Sequence, residues 1–290
     1  MFFEKPITAT IPLRYSCRTY LNKPLNPEIR RRLSYFAATE LASPFGSQTR
    51  FRLVAATEDD SKTLRGLGTY GFIKDAAGFV IGATDNGGKS LEDFGYRMEK
   101  IILYATDLGL GTCWLGGTFT KSSFALRISL MKDEIIPAVA SVGYIAPKIR
   151  YMDAKIRQIA QSNQRRPWER LFYRSDFDTP LSEQEAGNYA IPLEMIRLGP
   201  SASNRQPWQI VMEEGSFHFY LRRTPNYRNN AYARLLGFAD LQRIDMGIAM
   251  CHFEFTAREL GLDGKWETEE PKIDKPNELI EYSVSWVRKS

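Results

Sequence analysis

The chain has 290 residues, of which 43% are hydrophobic and 25% are charged, as is typical of globular proteins with one large or two small domains. The net charge of +5 suits anionic ligands, although solubility is the simpler explanation. No apolar run is long enough to cross a bilayer, no signal peptide is recognisable, and no basic run is dense enough to indicate nucleic-acid binding. We therefore expect a cytoplasmic protein without membrane or nucleic-acid partners.

The few cysteines and histidines argue against a disulfide framework and against a metal centre. Cys17, Cys113 and Cys251 are odd in number and widely spaced, which suits a reducing compartment. Only His218 and His252 are available as imidazole ligands. We therefore predict no metal site.

The first half of the chain shows a series of helix and strand signals. Asn26 is a suitable N-cap for the first predicted helix, and Gly109 lies where the long helix needs a C-cap. In chain order, the predicted elements are a helix over Asn26–Leu41, a strand over Phe51–Ala56, a short helix over Asp60–Arg65, a long helix with an apolar face from Phe94 to Leu108, and a strand over Ala138–Ile145.

The second half shows a similar series. Its first helix is predicted over Ser182–Arg197, where Ser182 and Glu185 have the spacing of a capping box. A turn containing proline follows each of these first helices, at residues 43–46 and 199–202. Strands are predicted over Trp208–Met212 and Ile280–Val287.

The two halves are related by an internal repeat. The pattern R-x3-R-x5-P-L that begins at Arg14 recurs 156 residues later at Arg170. Asp93–Trp114 aligns without gaps on Asp245–Trp266 at an offset of 152, with eight of 22 positions identical. We predict an α+β protein of two tandem half-units, residues 1–165 and 166–290, whose long helices pack about a pseudo-two-fold axis.

Three segments resemble motifs of the FMN-dependent nitroreductase family. Arg14–Arg18 resembles the R-x-S-x-R opening of that family, and Gly199–Trp208 matches its P-S-x-x-N-x-Q-P-W segment. Gly109–Gly117 looks like the segment that follows its long central helix. The resemblance implies a nitroreductase-like fold with FMN at the interface of two units. The repeat indicates a subfamily with both units on one chain, packed as an intramolecular pseudo-dimer.

The resemblance also implies which residues contact FMN. Arginine side chains can bind the phosphate dianion through bidentate hydrogen bonds, and backbone at glycine can approach the flavin ring closely. The implied phosphate contacts are Arg14, Tyr15, Ser16, Arg18, Arg165 and Arg166. The implied ring contacts are Leu115, Gly116, Gly117, Pro200, Ser201, Ala202, Ser203, Asn204 and Gln206.

These segments have structural alternatives. The arginine segment is also compatible with a solvated loop, Arg165 and Arg166 with a charged linker, and the Ser/Asn segment with a capped turn. Trp114 is expected in the core or in a pocket wall. The family often has an asparagine at the flavin edge where this chain has Gly68–Phe72. The G-x-G-x-x-G pattern at Gly66–Gly71 follows a predicted helix, which argues against a dinucleotide-binding fold.

The repeat predicts one complete site. In the site with reversed roles, Phe172 replaces Ser16, Ser47 and Gln48 replace the Ser/Asn pair, and Thr268 and Glu269 replace the two glycines. We therefore predict one FMN per chain, and a monomer, because the interface is internal.

The implied reaction is hydride transfer from NAD(P)H through FMN to a nitroaromatic, a quinone or a similar small-molecule acceptor. The flavin carries this chemistry, so no catalytic acid, base or nucleophile is predicted. Two alternatives stay open. One is another flavin reaction on the same fold, such as reductive dehalogenation or oxidation by oxygen; the other is a non-catalytic FMN-binding protein or pseudoenzyme. The substrate pocket is expected near Thr224–Gly237.

Overall fold

A computed structural model describes residues 3–39, 42–225, 227 and 238–289 of the chain. The helices are α1 (Ile7–Leu13), α2 (Pro27–Ala38), α3 (Ser90–Asp107), α4 (Lys121–Ile128), α5 (Tyr151–Ile159), α6 (Glu183–Ala186), α7 (Ala190–Leu198) and α8 (Leu241–Glu259). The strands of the first half are β1 (Thr49–Ala55), β2 (Gly78–Thr84), β3 (Gly111–Leu115) and β4 (Val139–Gly143). Those of the second half are β5 (Phe172–Arg174), β6 (Trp208–Glu213), β7 (Ser216–Arg222), β8 (Gly264–Glu267) and β9 (Ile280–Arg288).

Each half contains an antiparallel sheet with the same strand order. The first sheet has the order β1-β2-β4-β3, and the second has β6-β7-β9-β8 with β5 added in parallel beside β6. Register pairs Thr49 with Thr84 in the first sheet and Trp208 with Leu221 in the second. The predicted α+β fold class with two tandem half-units is confirmed.

The two long helices α3 and α8 pack together through reciprocal contacts. A Cβ atom on Gly95 would collide with the backbone carbonyl of Ile244, and one on Gly247 would collide with that of Glu92. Gly95 and Gly247 are repeat partners, and so are Glu92 and Ile244. The contact is therefore the self-complementary one that a two-fold axis generates.

Each long helix also enters the core of the other half. Ile244 and Ile248 of α8 lie in the first-half core, whereas Tyr96 and Leu103 of α3 lie in the second-half core. A wide apolar stripe on a helix needs such a partner to be removed from water. Each half thus completes its core with residues of the other half's long helix.

A buried aspartate near the start of each long helix holds the preceding turn in its own half. The Asp93 carboxylate accepts hydrogen bonds from the backbone N–H groups of Phe45 and Ser47, at 3.0 and 2.8 Å. Its repeat partner Asp245 accepts one from Ala202 at 3.0 Å. The shared aspartate thus has the same structural role in both halves.

The predicted helix starts are confirmed, but two helices end or break earlier than predicted. The Asn26 side chain accepts from the Glu28 N–H, and Ser182 and Glu185 form the expected capping box. The helix predicted over 26–41, which is α2, ends at Ala38 because Thr39 is extended. The predicted end at residue 41 lies outside the described residues. The helix predicted over 182–197 is divided into α6 and α7 at Gly187, whose φ of +56° is unfavourable inside a helix.

Other predicted bounds shift only slightly. The short helix predicted over 60–65 is a single 3₁₀ turn, Ser61–Leu64. The glycine pattern that begins at Gly66 is followed by strand β2 and not by a helix, which agrees with the rejection of a dinucleotide fingerprint. Strand β4 is shorter than the predicted 138–145 and occupies Val139–Gly143.

The two arginine segments of the repeat lie at non-equivalent places. Ser16 forms a parallel bridge to Thr112 of β3, at one edge of the first sheet. Its sequence counterpart Phe172 lies in β5, beside β6 at the opposite edge of the second sheet. Residues that align in sequence in these two arginine segments therefore do not occupy equivalent positions in the two sheets.

Candidate functional site

Two adjoining cavities lie between the halves of the chain. The apolar cavity, of about 220 Å³, is enclosed by the end of β3, the start of α8 and the loop at 200–203. The arginine cavity, of about 320 Å³, is lined by the segment at 14–18, the C-terminal part of α5 and the same loop. Both cavities are lined by Ser16, Arg18, Pro200, Ser201 and Ser203. They therefore form one continuous cleft built from both halves.

Apolar side chains in the wall of the first cavity include Trp114 and the α8 residues Leu241, Ile244 and Ile248. The Trp114 indole donates its N–H to the Glu99 carboxylate at 2.7 Å, which fixes the ring in the wall. Trp114 both packs against the first-half core and lines the cavity, so both expected positions apply. This surface suits a flat apolar group.

The glycines after β3 border the same cavity, for a reason that the sequence did not reveal. A Cβ atom on Gly116 would collide with the Leu241 side chain, and one on Gly117 would lie 3.1 Å from the Phe238 ring. The missing side chains allow the start of α8 to approach the end of β3. In this structure the two glycines serve the packing between the halves.

The arginine cavity concentrates positive charge. Its guanidinium groups belong to Arg14, Arg18, Arg157 and Arg165. Among the residues that the structure describes, only Arg14 of these four has a carboxylate within 4 Å, that of Glu99 at 3.9 Å. The Nε atoms of Arg14 and Arg165 are buried and have no hydrogen-bond acceptor in the described part of the chain. An anion in this cavity would neutralise part of this charge.

Burial affects the electrostatics of this cavity directly. Arg14 is only 8% exposed, and desolvation lowers its pKa, against the opposing effect of the Glu99 charge. Desolvation likewise lowers the pKa of Arg165, and the charges of Arg14 and Arg197 add to this effect. The charged forms of both arginines are therefore under-stabilised by the protein alone.

Glu99 contacts one residue of each cavity, Arg14 of the arginine cavity and Trp114 of the apolar cavity. Its buried carboxylate pairs with Arg14 and accepts from Trp114 and from His252 Nε2, the latter at 3.0 Å. Despite desolvation, the pKa of Glu99 is lowered, chiefly by the hydrogen bond and charge of His252. The other ring nitrogen of His252 faces the Met195 carbonyl at 2.8 Å.

The loop at 200–206 is held in place by hydrogen bonds of its own side chains. Ser203, Asn204 and Gln206 have φ angles of +52°, +54° and +48°, which are uncommon for residues other than glycine. The Gln206 N–H donates to Ser201 Oγ at 2.8 Å, and the Asn204 amide donates to the carbonyls of Gln161 and Gln164. The loop is thus a capped turn that also borders the cleft, and its contact with a cofactor stays a prediction.

Most of the residues implied by the family resemblance come together in the cleft. Those that line it are Arg14, Tyr15, Ser16, Arg18, Gly116, Gly117, Arg165, Pro200, Ser201, Ala202, Ser203 and Asn204. Leu115 is buried in the core on the opposite face of β3 from Trp114, because neighbouring strand residues face opposite ways. Arg166 and Gln206 lie on the outer side of the loop, where the Gln206 Oε1 accepts from the Arg166 N–H.

Sequence reasoning missed several residues of the cleft. Arg157 reaches the arginine cavity from α5, and its guanidinium lies 5.4 Å from the Tyr15 ring centre. Asp245 lines the apolar cavity, and burial raises the pKa of its carboxyl well above the usual range. The repeat singled out Asp245 but gave it no role in a site. No motif pointed to Arg157. Most of the expected substrate segment at 224–237 lies outside the described residues.

The reversed arrangement has lost the features of the cleft. The repeat partners of Leu241 and Ile244 are Lys89 and Glu92. Lys89 Nζ donates to the Ser283 carbonyl at 2.6 Å, and Arg243 Nε donates to Glu92 at 2.9 Å. At these positions charged side chains, paired within the protein, replace an apolar wall. Phe172, the counterpart of Ser16, is fully buried in the core.

Other kinds of site find little support in the described residues. Within 3–39, 42–225, 227 and 238–289, no group of three or more His, Cys, Asp and Glu residues could hold a metal ion. In the same ranges, no helix has both the length and the apolar character required to cross a membrane. The three cysteines are buried and unpaired, and desolvation raises the pKa of Cys17 to about 11, so this thiol is not an activated nucleophile.

Comparison with solved structures identifies the fold. A "putative nitroreductase" from Thermotoga maritima covers 98% of this chain and 94% of its own length, with 17% identity and a TM-score of 0.61. The two proteins therefore share a fold. A nitroreductase with bound FMN from Bacteroides fragilis matches 50% of this chain and 91% of its own, at 20% identity and a TM-score of 0.40. The fold of the chain is therefore a nitroreductase-type fold.

The particular family follows from the sequence. The profile of the family described as "Putative TM nitroreductase" matches residues 6–257. The chain belongs to this family, and the predicted resemblance is confirmed. No curated protein matches the sequence.

Proposed function

We propose that the chain is an FMN-dependent oxidoreductase that binds one FMN in the cleft between its halves. The phosphate would lie in the arginine cavity and the isoalloxazine ring in the apolar cavity. The observation that carries this proposal is the cluster of four guanidinium groups, three without a carboxylate within 4 Å in the described chain, directly beside an apolar cavity.

The donor groups of the arginine cavity fit a phosphate dianion. Arg14 and Arg165 each have a buried Nε without an acceptor among the described residues, and Ser16 and Ser201 add hydroxyl groups to the lining. Charge-assisted hydrogen bonds to phosphate are about twice as strong as neutral ones. Phosphate binding would also offset the mutual repulsion of the arginines.

The apolar cavity fits a flat ring with polar atoms along one edge. Trp114 and the α8 side chains supply the apolar surface, and Ser201 and Ser203 supply hydrogen-bonding groups. When bound, FMN would supply the two-electron chemistry of the reaction. The chain's own residues bind and orient the ring and separate it from water.

We further propose NAD(P)H as the electron donor and a nitroaromatic, a quinone or a similar small molecule as the acceptor. Membership of a nitroreductase family supports this reaction class. The Bacteroides fragilis neighbour, described as a nitroreductase with bound FMN, is compatible with the cofactor. Both halves of the cleft lie on one chain, which supports a monomer.

The first test is the visible spectrum of the purified protein and the amount of FMN released per chain. We expect yellow protein with one FMN per chain, or stoichiometric uptake of added FMN. Two FMN molecules per chain would refute the single-site argument, and protein that stays colourless with added FMN would refute the proposal.

A matched pair of arginine variants tests the phosphate site. Arg18→Met removes a charged donor from both cavities and should weaken FMN binding about 10- to 100-fold. Arg52 is exposed on β1 and donates only to the Arg127 carbonyl in the described chain, so Arg52→Met should leave binding unchanged. Equal effects of the two substitutions would contradict the assignment.

Catalysis is tested separately from binding. Under anaerobic conditions NADH or NADPH should bleach the flavin absorbance, and addition of an acceptor should restore it. Bound FMN that neither donor reduces would favour a non-catalytic flavin-binding protein.

A further inference from the structure

A second binding surface adjoins the arginine cavity on the outer side of the loop at 203–206. We call it the outer groove; it has a volume of about 960 Å³ and is lined by Phe72, Ile156, Ile159, Arg166, Arg205 and Gln206, among others. It shares Ala160, Arg165, Ser203 and Asn204 with the arginine cavity. A ligand could therefore continue from one into the other past Arg165.

One side of the outer groove is strongly basic. In the part of the chain that the structure describes, none of Arg165, Arg166 and Arg205 has a carboxylate within 4 Å. The guanidinium groups of Arg165 and Arg166 donate there to backbone carbonyls. Desolvation and the nearby charges of Arg222 and Arg205 lower the pKa of Arg166. The groove thus holds more positive charge than the protein neutralises.

Arg165 and Arg166 are held in place by hydrogen bonds before any ligand binds. The Arg166 N–H donates to Gln206 Oε1 at 2.8 Å, and Arg166 Nε donates to the Arg205 carbonyl at 3.2 Å. Arg165 Nη2 donates to the Leu198 carbonyl at 3.1 Å, while its Nε is left without an acceptor among described residues. Pre-positioned donors lower the ordering cost of binding an anion.

The other side of the groove is apolar and open to solvent. Phe72 is 36% exposed and Ile159 is 75% exposed, and both line the groove together with Ile156. Exposed aliphatic and aromatic side chains beside arginines suit a ligand that has both a flat ring and a phosphate. A purine base can pack on such a surface, and guanidinium planes can stack on it.

We propose that the outer groove binds the adenosine-phosphate half of a dinucleotide. This inference rests on the proposed function, because FAD would continue from a flavin phosphate in the arginine cavity and a donor dinucleotide would have to reach a flavin bound beside that cavity. The same chemical group has two possible sources: the adenosine-phosphate half of FAD, joined directly to the flavin phosphate, or that of the nicotinamide dinucleotide donor.

Arg205→Glu is the central variant, and Arg222→Glu is its matched control. Arg205 is exposed and lines the groove, and its side chain has no hydrogen bond or ion pair with the described residues. Arg222 is also exposed and its charge acts on Arg166, but it does not line the groove. A long-range electrostatic effect should appear in both variants, whereas direct contact should appear only in Arg205→Glu. Circular dichroism would verify that both variants fold.

The first arm compares FMN and FAD by fluorescence titration of the flavin-free protein. If the adenosine-phosphate group in the outer groove is that of FAD, Arg205→Glu weakens FAD binding about tenfold or more. The same variant then changes FMN binding by less than about twofold. The second arm titrates AMP, by calorimetry, into FMN-loaded and flavin-free protein. If the group belongs to the donor, AMP binds the FMN-loaded protein and Arg205→Glu weakens that binding by a similar factor.

The outcomes separate this inference from the proposed function. FAD and AMP binding that are both insensitive to Arg205→Glu, or equally sensitive to Arg222→Glu, would overturn the assignment of the groove. Absence of FMN binding would refute the proposed function alone, provided that AMP still binds the flavin-free protein in a manner that depends on Arg205.

Discussion

Glu99→Gln is the substitution that best tests how the cleft is organised. Gln keeps the shape of the side chain and one acceptor oxygen for Trp114, but it removes the negative charge that faces Arg14 at 3.9 Å and His252 at 3.0 Å. Both Glu99 and His252 have side chains that are fully buried. The change therefore removes a charge and leaves the packing intact.

The expected loss of stability follows from this geometry. At 3.9 Å, an ion pair in a protein environment of effective dielectric constant of about 20 has a Coulomb energy of about 4 kcal/mol. Removing one partner of a buried pair typically costs about 3–5 kcal/mol, because the remaining charge is uncompensated. We therefore expect the melting temperature of the flavin-free protein to fall on the order of 10 °C.

Flavin binding should respond in the opposite direction. In the variant, a bound phosphate would neutralise Arg14 in place of Glu99, and it would no longer be repelled by that carboxylate. We expect FMN to bind about tenfold more tightly than to the wild type, equivalent to about 1.4 kcal/mol, so that FMN raises the melting temperature more. Riboflavin, which lacks the phosphate, should bind the variant no more tightly than it binds the wild type.

The control is Glu254→Gln. Glu254 is a mostly buried carboxylate on α8 that accepts from Trp266 and Tyr96, each at 2.7 Å, and it lines neither cavity. This variant should be destabilised while its ratio of FMN to riboflavin affinity stays that of the wild type. Fluorescence titrations and thermal scans of the three proteins provide the data. The reasoning is refuted if Glu99→Gln weakens FMN and riboflavin binding equally, since Glu99 would then act only through the Trp114 wall.

Three further substitutions test other parts of the structure. Gly247→Ala should cost about 1–3 kcal/mol in urea unfolding, because its Cβ meets backbone of the facing helix, whereas Gly88→Ala, with open space around it, should be neutral. Burial raises the pKa of Asp245 in the folded chain, so the contribution of Asp245 to stability falls as the pH rises above its pKa in the unfolded chain, about 3.9. Asp245→Asn should therefore stabilise the protein more at pH 8 than at pH 5. An equal gain in stability at both pH values would contradict this. Ser16→Phe should abolish FMN uptake while the far-ultraviolet circular dichroism stays unchanged, whereas retained uptake would remove Ser16 from the site.

The features that could be read from sequence depend on short-range or repeated chemistry. The capping box of Ser182 and Glu185 closes within three residues, so local spacing is enough to predict it. The shared Gly95 and Gly247 indicated a common helix position, and the structure shows why: each removes a Cβ from the helix contact. The three family motifs correctly indicated the fold, because each lies where the chain lines the cleft or supports it.

Only the tertiary structure decided which residues meet in the cleft and which do not. Arg157 arrives from α5 without any motif, and Leu115 turns into the core although its neighbours line the cavity. Phe172 matches Ser16 in sequence but lies at the opposite edge of its sheet. Sequence periodicity determines which face of an element is buried, and short-range caps determine where the element starts. The partner across each buried face, and the charges that converge on a cavity, depend on contacts between residues far apart in the chain, which local spacing does not specify.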